Sequence, residues 1–385
     1  MVETGEGAAV GPLAGVRVLE LAGIGPGPLA AMLLADLGAE VIRIDRPGET
    51  LSRLPPERDP TRRGRRGLIL DLKRAEAVSV LLRLVEGADI LIEGFRPGVA
   101  ERLGCGPEIC LARNPRLVYG RMTGFGQDGP LSQAAGHDLT YIALAGALHG
   151  IGRAGEAPVP PLNLVGDYGG GAMFLVFGLL AALIERGRSG RGQVVDAAMA
   201  EGAALLMTPF YGLLAAGLWR DARGENLLDG GAPFYDSYRT ADGRYLAIAA
   251  IEPKFFAELA RLIGLSEEDV ARQYDRAHWP ALRARIAAII AGKERAAWVA
   301  LLEGSDACAH GVLSLAEAPH HPHNVARRSF IEINGVTQPA PAPRFSRTAP
   351  PAPRPPTPPG AESDAILAEA GLDPAALRAA GVLGG

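Results

Sequence analysis

The sequence predicts an α/β protein in which a large Rossmann-like domain, built on an open parallel sheet, is joined to a smaller α+β domain. Three observations support this prediction. The chain has 385 residues, which is more than one ordinary core contains. Strand patterns alternate with helix patterns over the first half, as they do in doubly wound folds. After about residue 218 the composition changes and a hairpin pattern appears.

The first predicted elements form a βαβ unit. Apolar residues alternate along Val16–Leu21 and again along Ala39–Asp45, which predicts two strands. The apolar stretch between them predicts a helix ending at Leu37, because Gly38 follows. Such a unit places its two strands parallel in one sheet.

The turn after the first strand is rich in glycine and proline. Gly23, Gly25 and Gly27 alternate there, and Asp45 closes the next strand about twenty residues later, as in dinucleotide-binding loops. However, prolines at 26 and 28 remove two of the amide donors that a pyrophosphate would need. The sequence therefore disfavours a nicotinamide cofactor.

An arginine-rich segment, Arg58–Gly67, follows this unit. It has five arginines within nine positions of an otherwise acidic protein. A guanidinium group matches the geometry of phosphate oxygens, which suits a phosphorylated ligand. A run of charge is more commonly a solvated loop. Both interpretations are open at this point.

Two further patterns of strand and turn occur at Gly87–Gly98 and Leu117–Gly126. In an open α/β sheet, ligands bind at the carboxyl ends of the strands. Basic side chains follow several of the predicted strands, and all of them could reach one crevice. These residues are Arg46, Lys73, Arg96 and Arg102.

Two similar junctions follow, Gly136–Tyr141 and Leu162–Gly171, each leading into an apolar helix. Asp138 stands at the natural N-cap position of the first helix. The partial positive charge of a helix N-terminus stabilises a carboxylate and keeps a nearby imidazole neutral, so His137 and Asp167 could act as bases. Alternatively, Asp138 and Asp167 cap their helices and His137 is a core histidine.

The domain boundaries follow from these patterns. We expect the first part of the large domain at 1–205, a linker helix at 206–224 and the small domain at 225–325. The small domain begins with a hairpin turning at Asp242-Gly243, and its helices continue to about Leu302. Residues 326–385 return to the large domain through a proline-rich tether at 339–359, and a last helix begins at Asp373-Pro374.

Composition excludes several classes of function. A net charge of -4 gives no general attraction to nucleic acid or to an anionic membrane. The apolar run near 172–184 is too short to span a bilayer. Three scattered cysteines and an N-terminus, Met1–Gly7, without a signal-peptide pattern favour the cytoplasm. The histidines in His320–His323 have no suitably spaced partner, which favours a polar loop over a metal site.

Seven motifs in family order give a stronger indication. The chain resembles the family III CoA-transferase superfamily from Gly11 to about Arg347, and within it the racemase branch. The motifs are Gly11–Leu21, Leu70–Lys73, Phe95–Gly98, Gly136–Tyr141, Gly166-Asp167, Asn226–Tyr235 and Ala250–Pro253.

The resemblance implies specific roles. Racemases of this kind act on 2-methylacyl-CoA thioesters without a cofactor, and carry Gly-His-Asp at 136–138 and a glutamate at Glu252. His137 and Asp167 are then the two acid/base groups and Glu252 orients the imidazole, while Asp138 either does likewise or caps its helix. Transferases of the superfamily instead use the residue at Asp167 as a nucleophile and usually have tyrosine or another residue at 137, so a CoA transferase is the alternative.

The resemblance also implies an interlocked homodimer, with each site between the large domain of one subunit and the small domain of the other. The partner molecule is an acyl-CoA, with no metal, membrane or nucleic acid involved. The residues expected to bind CoA are Arg46, Leu70, Asp71, Leu72, Lys73, Gly94, Phe95, Arg96, Arg102, Gly136 and Tyr141.

Overall fold

The computed structural model describes residues 11–48 and 54–383. The chain divides into two compact units. The first comprises Met1–Ala145, Leu162–Leu206 and Arg328–Gly385, and the second comprises Gly146–Pro161 and Met207–Arg327. The predicted absence of a signal peptide at Met1–Gly7 concerns residues outside the described part.

The elements are numbered in chain order. The strands are β1 (Arg17–Leu21), β2 (Glu40–Asp45), β3 (Arg65–Ile69), β4 (Ile90–Glu93), β5 (Val118–Thr123), β6 (Val194–Ala198), β7 (Tyr235–Arg239), β8 (Tyr245–Ala249), β9 (Ala309–Gly311), β10 (Phe330–Ile333) and β11 (Val336–Pro339). The helices are α1 (Pro26–Asp36), α2 (Ala75–Val85), α3 (Val99–Leu103), α4 (Pro107–Arg113), α5 (Asp138–Leu144), α6 (Phe174–Ser189), α7 (Met199–Leu206), α8 (Thr208–Ala215), α9 (Pro253–Ile263), α10 (Glu267–Ala271), α11 (Trp279–Ile290), α12 (Arg295–Leu302), α13 (Pro322–Arg327), α14 (Ser363–Glu369) and α15 (Pro374–Ala379). A π-helix occupies Leu164–Met173.

The first unit contains the predicted open parallel sheet. Its six strands are ordered β3-β2-β1-β4-β5-β6, and every pair among them is parallel. This is the order of a doubly wound fold, in which the direction of winding reverses between β1 and β4. The α/β fold class predicted from the sequence is confirmed.

Each face of this sheet has its own core, because successive side chains of a strand point to opposite faces. Leu19 and Leu91 belong to the core that also contains residues of α2 and α14. Val18 and Ile90 belong to the core that also contains residues of α1 and α6. With both faces covered, the central strands are mostly apolar, as parallel strands usually are, although Glu20 and Glu93 are buried among them.

The second unit contains a three-stranded antiparallel sheet in the order β7-β8-β9. Its hairpin turns between Arg239 and Tyr245, where Gly243 has a φ of 76°. The hairpin predicted at Asp242-Gly243 is therefore confirmed. Phe234, Phe256 and Trp298 are among the fully buried side chains of its core.

The structure differs from the sequence prediction around the join between the units. The predicted linker helix at 206–224 contains only α8, which is separated from α7 at Met207 and belongs to the second unit. Residues 146–161 also belong to the second unit, although they were expected in the large domain. In the return segment the hairpin β10–β11 was not predicted, whereas α15 begins at Pro374 as expected.

Most of the arginine-rich segment is neither a solvated loop nor free to bind a phosphate. It contains β3, and four of its five arginines form ion pairs with carboxylates of the same unit. Arg63 pairs with Asp36, and Arg65 pairs with Glu20, with all four side chains at most 3% exposed. These guanidinium groups are thus occupied in holding β3 and its preceding turn against the sheet and α1.

The helix after Asp167 is longer than the sequence predicted. The glycine-rich stretch is helical, and the π-helix runs directly into α6. By length and composition this segment, Leu164–Ser189, is the one helix among the described residues that could cross a membrane. That observation is weak on its own, since Leu175 and Leu179 are fully buried against the sheet.

Candidate active site

A cleft of about 590 Å³ opens at the carboxyl ends of β1 and β4, where the winding of the sheet reverses. It is bounded by the turn after β1, the turn after β4, the loop before α5 and the start of the π-helix. Ligands of doubly wound proteins bind at this place in the fold. His137 and Asp167 both line the cleft.

His137 is the N-cap residue of α5, and its side chain is exposed in the cleft. Its main-chain amide donates to Thr140 Oγ1 at 3.1 Å, which fixes the entry into the helix. The interpretation of His137 as a buried core histidine is therefore wrong. The N-cap position belongs to His137, and Asp138 is the first residue of α5.

Asp167 lies in the first turn of the π-helix and is half-buried. Asn163 Nδ2 donates to Asp167 Oδ2 at 3.1 Å. Burial raises the pKa of the Asp167 carboxyl, and the negative charge of Asp138 raises it further, whereas Asn163 and His137 act to lower it. The net effect is an increase, so Asp167 accepts a proton more readily than an ordinary aspartate.

Asp138 interacts with the helix that carries Asp167. Its side chain is buried, with 6% of the residue exposed. Oδ1 accepts a hydrogen bond from the Asp167 amide at 2.6 Å, and Oδ2 has no hydrogen-bond partner among the described residues. Neither expected role is observed, because Asp138 caps an amide of the π-helix instead of capping α5 or orienting the imidazole.

Gly25 shows why the turn after β1 needs glycine. Its φ is 69°, which side chains rarely tolerate, and a Cβ atom there would lie 3.1 Å from Asp167 Oδ2. The absence of a side chain keeps the space beside the carboxylate open. The turn therefore forms one wall of the cleft next to Asp167.

Tyr141 shapes the loop before α5. Its hydroxyl donates to the carbonyl oxygen of Gly136, and its ring contacts Phe125 edge to face at 5.0 Å. Burial, followed by the charge of Asp167, raises the pKa of Tyr141. The hydroxyl consequently stays protonated and holds the segment that presents His137.

The structure brings only part of the predicted CoA-binding set to this cleft. Arg46 lines it with its guanidinium 5.5 Å from the centre of the Phe95 ring. The other predicted residues in the lining are Gly94, Phe95, Arg96, Gly136 and Tyr141. The lining does not include Leu70, Asp71, Leu72, Lys73 or Arg102. Leu70 is 0% exposed, so it offers no surface to a ligand here.

Glu252 belongs to the second unit, where it is the exposed N-cap residue of α9. Its charge contributes to raising the pKa of Cys308, after the larger effect of burial. The assignment of Glu252 to the imidazole of His137 stays a prediction.

The histidines at 320–323 are not in a simple loop. His320 ends a short 3₁₀ turn and His323 lies on α13. His321 Nε2 lies 2.7 Å from Glu303 Oε1. Within residues 11–48 and 54–383, no group of three or more His, Cys, Asp or Glu side chains is placed to hold a metal ion.

Asn163 is the site residue that sequence reasoning did not identify. The signal was present, because an asparagine four residues before an aspartate on the same helix can hydrogen-bond to it. The three glycines after Asp167 favour a non-helical junction in sequence, and so do not indicate this helical spacing. Leu162, with a φ of 59°, directly precedes Asn163, the N-cap residue of the π-helix.

Comparison with known proteins agrees with this arrangement. The sequence pattern of CoA-transferase family III matches residues 13–363. The chain is 49% identical over 337 residues to alpha-methylacyl-CoA racemase of Mus musculus, covering 87% of each protein. It is 46% identical over 340 residues to alpha-methylacyl-CoA racemase of Homo sapiens, again covering 87% of each. The crystal structure of a CaiB/BaiF family protein from Brucella suis superposes with a TM-score of 0.81 at 27% identity, covering 94% of this chain and 100% of that one.

Proposed function

The chain belongs to CoA-transferase family III, and on this basis we propose that it is a racemase of 2-methylacyl-CoA thioesters. The reaction interconverts the (R) and (S) forms by moving a proton to and from the carbon next to the thioester carbonyl. It involves no net oxidation, so the chemistry requires no redox cofactor.

The observation that carries this proposal is the placement of His137 and Asp167 in one cleft. They come from separate elements, the N-cap of α5 and the first turn of the π-helix, and the charge of His137 acts to lower the pKa of Asp167. Racemisation needs one acid/base group on each face of the α-carbon. Two groups on separate elements of one cleft meet that requirement.

In one direction Asp167 removes the α-proton and protonated His137 delivers a proton to the opposite face. In the other direction the two groups exchange roles. The raised pKa of Asp167 serves both steps, because it makes the carboxylate a better base and lets the protonated form persist at higher pH. The intermediate between the two steps is an enolate.

The enolate oxygen requires hydrogen-bond donors. The Asp167 amide does not supply one, because it already donates to Asp138 Oδ1. The first amides of α5, those of Asp138 and Leu139, have no acceptor within their own helix. We propose that they stabilise the enolate from the N-terminus of α5.

CoA is proposed to bind along the carboxyl edge of the sheet. Arg46 and Arg96 supply positive charge in the cleft beside the two catalytic groups. Lys73 follows β3 and Arg102 lies on α3, and both are proposed to contact the more distant phosphates. To test this assignment, KM is measured for the full ester and for an acyl-CoA lacking the 3′-phosphate. Both esters are compared in wild type and in Lys73→Ala.

A homodimer is proposed as the active form, with Glu252 of one subunit beside His137 of the other. Large apolar side chains are exposed on each unit, including Leu162, Phe177 and Ile184 on the first and Tyr211 and Leu218 on the second. Exposed side chains of this kind are available to be buried in a dimer interface.

Mixed dimers test this composite site. Co-expressed His137→Ala and Glu252→Gln subunits form heterodimers in which one site is wild type and the other carries both changes. If Glu252 acts across the interface, the mixture regains about a quarter of wild-type activity. If Glu252 acts within its own subunit, every site is damaged and the mixture stays inactive.

The protein is also proposed to be cytoplasmic. Its three cysteines are free, with Cys105 and Cys110 buried and Cys308 partly exposed. Free thiols suit a reducing compartment. Fractionation of cells producing the full chain tests this location.

The direct test of the activity is proton exchange. One enantiomer of a 2-methylacyl-CoA is incubated with the protein in deuterium oxide and its methyl signal is followed by proton NMR. The proposal predicts that the methyl doublet collapses to a singlet while the other enantiomer appears. An unchanged doublet would rule out the racemase.

A CoA transferase is the alternative, because Asp167 is accessible in the cleft and such transferases use a carboxylate as nucleophile. This activity requires a free acid as acceptor and forms an acyl adduct on Asp167. Hydroxylamine trapping followed by mass spectrometry of the Asp167 peptide would detect the adduct. A trapped adduct together with an unchanged methyl doublet would favour the transferase.

A further inference from the structure

The π-helix that carries Asp167 is in backbone contact with α7. A Cβ atom on Gly202 would lie 1.9 Å from the carbonyl oxygen of Gly170, and a Cβ atom on Gly170 would lie 2.5 Å from the amide nitrogen of Ala203. Neither glycine has a positive φ. Glycine is thus required here for close approach of two helices and not for backbone conformation.

The π-helix also lies close to neighbours on other sides. A Cβ atom on Gly166 would lie 2.7 Å from Asp138 Oδ1, at the start of α5. One on Gly171 would lie 3.1 Å from Pro26 Cβ, at the start of α1. Because α1 and α5 limit movement of the π-helix as a whole, a clash with α7 should displace the backbone of the π-helix locally.

Asp167 lies between these contacts, one residue after Gly166 and three before Gly170. Its carboxylate is held by the bond from Asn163, and the Cβ position of Gly25 is 3.1 Å from Oδ2. Displacement of the π-helix would therefore alter the position of the carboxylate in the cleft. Misplacing a catalytic group by about 1 Å can cost roughly a hundredfold in rate.

We infer that Gly202 is a positioning residue for Asp167, acting through the backbone of Gly170. The three atoms nearest to a methyl group at Gly202 all belong to Gly170, so the displacement falls first on the Asp167 helix. His137, as the N-cap of α5, is not among the atoms pushed. The inference rests on the proposed racemase function.

The test is α-proton exchange in the variant Gly202→Ala, measured separately from each enantiomer in deuterium oxide. Displacement of Asp167 slows exchange from the enantiomer that Asp167 deprotonates by about 10–100-fold. Exchange from the other enantiomer, which His137 deprotonates, changes much less. The enantiomer affected must be the one that also stops exchanging in Asp167→Asn.

The matched control is Gly187→Ala. Gly187 lies on α6 in the same continuous helical segment, without a positive φ and with nothing within 4 Å of a Cβ atom. This variant should exchange both enantiomers at the wild-type rate. KM for the CoA ester should also be unchanged in both glycine variants, since neither residue lines the cleft.

If Gly202→Ala does not fold, a second variant with less severe contacts is tested instead. In Gly169→Ala the added methyl group would meet Leu206 Cδ1 at 3.3 Å and the carbonyl oxygen of Leu164 at 3.0 Å. The flexible end of a leucine can give way, so the same one-sided defect should appear to a smaller degree.

The outcomes separate this inference from the proposed function. Equal loss of exchange from both enantiomers, or no loss from either, overturns the positioning role while leaving the racemase intact. Absence of exchange in the wild-type protein overturns the racemase, and this inference with it. A one-sided loss matching Asp167→Asn supports both.

Discussion

The main-chain amide of Asp167 donates a 2.6 Å hydrogen bond to Oδ1 of Asp138, 29 residues earlier in the chain. This bond joins the start of α5, where His137 lies, to the first turn of the π-helix. It therefore sets the spacing of the two proposed acid/base groups and places a second negative charge beside Asp167.

Asp138→Asn is expected to shift the pH dependence of the reaction. Asparagine keeps an acceptor oxygen for the Asp167 amide but removes the charge that raises the pKa of Asp167. That pKa falls, and Asp167 must be deprotonated to act as base, so the acidic limb of kcat/KM moves to lower pH. The pH profile for the enantiomer that Asp167 deprotonates measures this shift.

Asp138→Ala provides the comparison, since it also removes the acceptor. Leaving the Asp167 amide without a partner costs about 1–3 kcal/mol. Activity should then fall at every pH. An acidic limb that stays in place in Asp138→Asn would contradict the electrostatic role.

Asn163→Ala is expected to shift the same limb in the opposite direction. The Asn163 amide stabilises the charged form of Asp167 through the 3.1 Å bond to Oδ2. Without it the pKa of Asp167 rises further and the acidic limb moves to higher pH. Profiles of Asn163→Ala and Asp138→Asn recorded under identical conditions should lie on either side of wild type. Shifts in the same direction would show that the two residues act through something other than charge at Asp167.

In each of the variants His137→Asn and Asp167→Asn, the α-proton of only one enantiomer should still exchange. The remaining base still removes a proton from its own face, but no group delivers one to the other face. Racemisation should fall by about 10²–10⁴-fold in both variants. Proton NMR in deuterium oxide, with each enantiomer supplied separately, shows which one exchanges. If both variants lost exchange from the same enantiomer, the result would contradict a two-base mechanism.

Arg63→Ala is expected to destabilise the first unit strongly. Arg63 forms a buried bidentate pair with Asp36, and it donates to the buried side chain of Gln338 and to the carbonyl of Pro339. Removing it leaves the Asp36 charge buried without its partner, which costs about 3–5 kcal/mol.

Urea unfolding of wild type and Arg63→Ala measures this loss. Arg261→Ala is the control, because Arg261 pairs with Glu258 on the exposed surface of α9 and its removal should leave the midpoint unchanged. Equal midpoints for Arg63→Ala and wild type would show that the buried pair is not a source of stability.

The second unit is expected to lose stability in acid. Burial tends to raise the pKa of Asp269, but hydrogen bonds from His278, Ser266 and Arg285 outweigh it and lower that pKa to about 2. Because the folded-state pKa lies below the unfolded value of about 3.9, the stabilisation is complete above pH 4. It is lost as the pH falls from there towards 2.

Tryptophan fluorescence can follow this transition, since Trp219, Trp279 and Trp298 all belong to the second unit. In Asp269→Asn, stability should be lower at neutral pH and depend less on pH in this range. A variant with the full acid dependence of wild type would show that other carboxyl groups cause it.

The sequence alone determined the fold class and much of the site. Alternating apolar residues in Val16–Leu21 and Ala39–Asp45 are local signals of burial, and each became a strand of the parallel sheet. The sequence also marked His137 and Asp167 as candidate bases, because each stands at a predicted helix start, and the family resemblance implied their roles as the two acid/base groups. Such features depend on short-range periodicity, which a sequence displays directly.

Only the tertiary structure decided which charged groups meet. Arg66 pairs with Glu369, 303 positions away, and Asp138 pairs with the amide of Asp167. An arginine that binds a phosphate and one that binds a buried carboxylate look the same in sequence. The difference lies in partners distant along the chain, and folding alone brings those partners together. For the same reason, the sequence does not show the close approach of Gly202 to Gly170, because that contact depends on how the two helices pack.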